Sequence, residues 1–157
     1  AAAFLMIIVF LVSYYIGVHP FIEMSHLFFD FFIYGLVIYF ALNEFKTVKN
    51  EGILHFWQGM SIGFFVNIFS FGIYMVFLFL IMNFDENILT SYQQQAVEFL
   101  EIKAAQYIEG FGEEQYQIQL ETILETTILD MALMGGVKKF ISAMLITPVL
   151  SILKRKT

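Results

Sequence analysis

The sequence predicts an all-α integral membrane protein, a four-helix bundle with an extracytoplasmic acidic helical hairpin inserted between spans 3 and 4. Three observations predict it. Hydrophobic residues make up 59% of the 157-residue chain and charged ones 14%, whereas soluble domains carry about 45–50% and about 25%. The apolar residues gather in long blocks rather than alternating with polar ones. A single long polar segment, Asn83 to Asp130, separates those blocks, with ten carboxylates against one base, Lys103.

The length fits one domain, divided as residues 1–82 for spans 1 to 3, 83–134 for the acidic hairpin, and 135–157 for span 4 with a basic tail. The net charge of −6 is local: the insert holds nine net negative units, leaving +3 for the rest. An acidic exposed segment disfavours a nucleic-acid partner. With no cysteine in the chain, disulfides, thiol catalysis and thiolate metal sites are excluded.

The first span, about residues 4–18, covers roughly 22 Å as a helix, short of the roughly 30 Å hydrocarbon core, and reads as cut. It lacks a basic start and a small-residue cleavage site before Pro20, so it is expected to stay as an anchor. Pro20 suits the boundary between helices. The second span covers about 26–42, and a polar turn with Lys46, Lys49 and Gly52 follows it. Phe56 and Trp57 fit an interfacial aromatic belt. The third span, about 56–82, reaches about 40 Å and is expected to tilt or protrude. For the fourth, Lys138 and Lys139 are expected to snorkel and lengthen a short apolar run, and Pro148 is a place for a kink. Lys46, Lys49, Lys154, Arg155 and Lys156 outnumber Lys103, Lys138 and Lys139 on the other side. The positive-inside rule then puts both termini in the cytoplasm and the acidic insert outside.

Within the insert, Leu89, Tyr92, Ala96, Leu100, Ala104, Tyr107 and Phe111 recur at helical spacing, and Tyr116, Leu120, Ile123, Leu124, Thr127 and Met131 repeat the pattern. Gly110 and Gly112 separate the two arms. Two readings stand: the carboxylates solvate two amphipathic helices that close on each other, or the apolar stripe docks on a partner.

Gly59, Gly63, Asn67, Ser70 and Tyr74 form a small-residue and polar stripe on the third span. It fits helix packing within the bundle or contact with another subunit. His19, Glu23, His26 and Asp30, at steps of four, three and four, are the candidate metal ligands, weighed against ordinary loop and interface residues. No nucleotide-binding, zinc-protease or hydrolase motif is present, so no enzyme and no cofactor are expected.

The turn and span entry Gly52, Ile53, Phe56 and Gly59, the charged helical insert, and the ending from Pro148 to Lys156 resemble the domain-of-unknown-function 4199 family of Bacteroidota. The resemblance implies a small four-span inner-membrane protein without assigned activity. Such genes often neighbour those of family 2 membrane glycosyltransferases, which points to such enzymes as partners. The expected function is a non-catalytic accessory or structural subunit of a larger inner-membrane complex serving a glycosyltransferase or other envelope machinery. The alternative is a small membrane carrier or metal-responsive protein using His19, Glu23, His26 and Asp30. Membrane lipid and other membrane subunits are the expected partners.

Overall fold

The computed structural model describes residues 1–22 and 25–155, and these are all-α. Helix α1 is Ala2–Tyr15, α2 Ser25–Glu44, α3 Phe56–Phe84, α4 Asn87–Ile102, α5 Ala104–Phe111, α6 Glu113–Leu124 and α7 Ile128–Lys154. A π-helical turn, Phe45–Lys49, prolongs α2. Three segments, His26–Lys49, Phe56–Phe84 and Ile128–Lys154, are long and apolar enough to cross a membrane, and α1 is a shorter apolar helix.

Local chemistry explains where each helix stops. Helix α1 ends at Tyr15, before the predicted Val18, because Gly17 takes φ +86° and closes a Schellman cap. The Val18 N–H donates to Ser13 O and the Gly17 N–H to Tyr14 O, satisfying end carbonyls. Helix α2 and its π turn run beyond the predicted residue 42, and Gly52, at φ +84°, then reverses the chain. At the start of α3, the Gln58 side chain accepts the His55 backbone N–H at 2.9 Å. Helix α7 begins at Ile128, well before the predicted 135, because Thr127 and Asp130 form a capping box. The Asp130 N–H donates to Thr127 Oγ1, and the Thr127 N–H donates back to the Asp130 carboxylate.

The long helices pack pairwise. Helix α7 lies against both α3 and α2, and α1 lies against α3 and α2. Between α3 and α7 the contact is made by small residues facing one another. A Cβ added to Gly59 would meet Ser151 Oγ at 2.7 Å, and one added to Gly63 would overlap Thr147. Farther along, the Asn67 amide donates to the Phe140 carbonyl at 3.2 Å. Lipid chains are as apolar as leucine, so burial from water drives little association here, and close backbone approach supplies dispersion and hydrogen bonding instead. The large apolar side chains Phe28, Phe32, Phe65, Phe69 and Leu145 point outward from these helices.

The insert folds back on itself, with α4 and α5 packed along α6. Gly112, at φ +90°, makes the turn between the arms. The first arm is not one continuous helix: the chain breaks at Lys103, which separates α4 from α5.

Candidate functional site

Two regions hold the residues with chemical potential: a polar cluster within the long helices, and the junction where the insert sits on them.

At the centre of the first, Lys139 Nζ on α7 donates to Asp30 Oδ1 on α2 at 2.5 Å, and both side chains are below a tenth exposed. Asp30 lies on the buried side of α2 because its flank is shared with Tyr34 and Ile38, both fully buried. The Lys139 ammonium also sits 4.6 Å from the centre of the Tyr74 ring, a second stabilising contact for a desolvated cation. Two polar atoms within the packed helices lack a hydrogen-bond partner among the described residues, Tyr34 OH and Asn67 Oδ1. Beside the pair lies a cavity of about 60 Å³ bordered by Phe10, Phe21, His26, Tyr74 and Lys138. That volume suffices for a few water molecules or a small polar guest, since one water needs roughly 10–15 Å³ on such a measure.

The second region is anchored by His19. Its Nε2–H donates to the Ile88 carbonyl at 3.0 Å, and its Nδ1 accepts the Phe21 N–H at 3.4 Å, which fixes a neutral ring with the proton on Nε2. Gln95 reinforces the junction by accepting the His19 N–H and donating to Gly17 O. Tyr14 OH donates to the Asp85 carboxylate at 3.2 Å. Burial pushes the His19 pKa below its ordinary value, and nearby His26 acts in the same direction, while the bond to Ile88 opposes them. Tyr92, packed against the ring, is raised by burial.

The four candidate metal ligands therefore have different positions. His19 is held by α4, Asp30 by Lys139, and His26 borders the cavity and packs on Phe29. Glu23 lies outside the described residues. Among the described residues no group of three or more His, Asp or Glu side chains is spaced to hold a metal ion. Gly59, Gly63, Asn67, Ser70 and Tyr74 are all buried within the chain. Of the hairpin stripe, Tyr92, Ala96, Leu100 and Ile123 are buried, Leu89, Tyr107 and Leu120 are half-buried, and Phe111 and Leu124 remain exposed. The expected snorkelling fails for Lys139, which turns inward because Asp30 offers a counter-charge at its own depth. Lys138 is exposed and donates to the Phe21 carbonyl at 3.0 Å. The signal available in the sequence was Asp30 itself: a carboxylate inside a span calls for a cation on a neighbouring helix.

The family described as "Protein of unknown function (DUF4199)" matches residues 1–156. The chain belongs to that family. The two ends of the resemblance meet in space, since Gly59 faces Ser151 across the α3–α7 contact. Comparison with curated proteins and with solved structures gave no match.

Proposed function

We propose that the chain is a non-catalytic accessory subunit of a larger inner-membrane assembly. In this reading α1, α2, α3 and α7 form a four-span bundle that holds the hairpin on the periplasmic side. The observation that carries it is the outer surface of the hairpin. Glu98, Glu101, Glu109, Glu113, Glu114 and Glu121 are exposed there, and none is in an ion pair among the described residues. Ile102, Phe111 and Leu124 add exposed apolar area to the hairpin. Acidic and apolar groups together suit a partner with basic residues around an apolar contact. The His19 and Tyr14 bonds support the reading by holding the hairpin in one position relative to the spans, which lowers the ordering cost of docking.

The test is native mass spectrometry of the full chain released from its own membranes in mild detergent. The expected result is a complex containing further subunits, lost when Glu113→Lys, Glu114→Lys and Phe111→Ser are combined. A lone chain under gentle conditions would defeat the proposal.

A second reading has its own observation: His26 and Asp30 border the cavity of about 60 Å³. It makes the chain a small carrier or metal-responsive protein. Equal metal content in wild type and His26→Ala would remove its metal-responsive form.

A further inference from the structure

A second, larger cleft opens between the hairpin and the long helices, with a volume of about 320 Å³. That is at the lower end of the range for ligand sites, about 300–1,000 Å³. One wall is the hairpin, with Phe99, Leu100 and Ile123, and the other is Met134 on α7 with Phe21 and Ile22 from the α1–α2 loop. The charge inside it is opposite to that of its surroundings. The insert carries ten carboxylates and one base, yet among the described residues no carboxylate lines the cleft and that one base, Lys103, does. Lys138 enters from the α7 side.

Both ammonium groups have capacity to spare. Lys138 donates to the Phe21 carbonyl, which leaves two of its three protons. Lys103 lies 4.3 Å from the centre of the Phe99 ring and forms no ion pair among the described residues. An occupant must therefore combine an anionic group with an apolar body. It must also reach a cleft whose floor belongs to a helix long and apolar enough to cross a membrane.

We infer that this cleft holds one anionic phospholipid, its phosphate between Lys103 and Lys138 and its acyl chain along Phe99, Leu100, Ile123 and Met134. A zwitterionic lipid supplies the same chain but cancels the attraction with its own cation. An acidic peptide supplies charge but no long apolar chain to lie along Phe99, Leu100, Ile123 and Met134. The lipid fits because its charge is concentrated in one headgroup and the rest of it is apolar.

The test is lipid retention by the full chain in mild detergent, read by native mass spectrometry with phosphatidylglycerol or phosphatidylcholine added. One phosphatidylglycerol per chain should be retained in preference to phosphatidylcholine. Replacing Lys103 and Lys138 together by Gln should weaken retention about thirtyfold, the factor expected for two lysines near an anionic surface. Lys103→Arg with Lys138→Arg should keep it, and Lys49→Gln, at the other end of α2, should have no effect. A measurement that leaves both lysines intact guards against misfolding: with Trp57→Phe and Phe99→Trp, brominated phosphatidylglycerol should quench the new tryptophan more than brominated phosphatidylcholine. Equal retention or quenching by the two lipids would overturn the inference. So would a thermal shift with inorganic phosphate as large as that with phosphatidylglycerol, which would mark a site for a soluble anion.

Discussion

At the scale of single residues, the Asp30–Lys139 pair makes the strongest prediction. Removing one partner leaves a buried charge uncompensated, so Lys139→Met should destabilise the protein by about 3–5 kcal/mol, whereas Asp30→Leu with Lys139→Met should recover most of that loss. Unfolding of the three variants in detergent by a titrated denaturant checks this, and a double variant as weak as the single would show that the pair is not the source. His19 predicts a pH dependence. Its folded pKa is lowered, chiefly by burial, so its contribution is complete above the unfolded value of about 6.5 and is lost as pH falls from there toward the folded value. Protonation of Nδ1 would also remove the acceptor for the Phe21 N–H. Hydrogen exchange across Ile88 to Tyr92, corrected for intrinsic rates, should therefore quicken on going from about pH 8 to about pH 5, and His19→Asn should abolish the change. Tyr14, Tyr92, His26 and, through Tyr14, Asp85 surround the ring, and the variant separates their titration from that of His19. Neither pairing was legible in the sequence, because Lys139 and Asp30 stand 109 positions apart and His19 and Ile88 stand 69 apart. A single sequence specifies the need for a partner without specifying which residue meets it.

At the scale of elements, glycines on one helix should respond in opposite ways. A side chain at Gly63 enters the space of Thr147, while a Cβ at Gly72 on the same helix meets nothing within 4 Å. Gly63→Val should therefore cost about 1–3 kcal/mol through overpacking, with part of the loss relieved by Thr147→Ala. Gly72→Ala should be neutral or stabilising, since alanine is the better helix former by up to about 1 kcal/mol. Melting temperatures in one detergent compare the set, and equal losses at both glycines would place the effect in the helix backbone rather than in the α3–α7 contact. The buried face of α3 was legible because periodicity belongs to one helix: Gly59, Gly63, Asn67, Ser70 and Tyr74 are all buried. Its partner surface, Thr147 and Ser151 on α7, was not, since their spacing also suits an ordinary helix. The beginning of α7 was readable in principle from Thr127 and Asp130, but the apolar run after Lys139 dominated the hydropathy pattern and hid the cap. The hairpin was legible because Gly112 and the change of composition mark it, whereas the break at Lys103 carries no glycine or proline to announce it.

At the scale of the whole molecule, the burial of Lys139 alters the charge count that orients the chain. A lysine neutralised inside the packed helices contributes little to loop charge, so the hairpin end is left with Lys103 and Lys138. The opposite end carries Lys46, Lys49, Lys154 and Arg155, and Lys156 lies outside the described residues. Lys46 Nζ donates to Lys154 O, and Lys154 Nζ reaches Asn43 Oδ1, so bases distant in sequence gather at one end of the helices. The contrast in Lys and Arg is therefore wider than a count over the sequence, and the positive-inside rule favours a cytoplasmic basic end more strongly. The chain has no cysteine, which makes a direct measurement available. Gln94 on the hairpin and Lys49 at the basic end are both exposed. On intact cells, a membrane-impermeant maleimide should label Gln94→Cys once the periplasm is open to it, and should label Lys49→Cys only after the inner membrane is broken. The reverse pattern would place the acidic hairpin in the cytoplasm. The proposed basic partner would then have to be sought there, and the lipid inferred for the Lys103–Lys138 cleft would have to come from the inner leaflet.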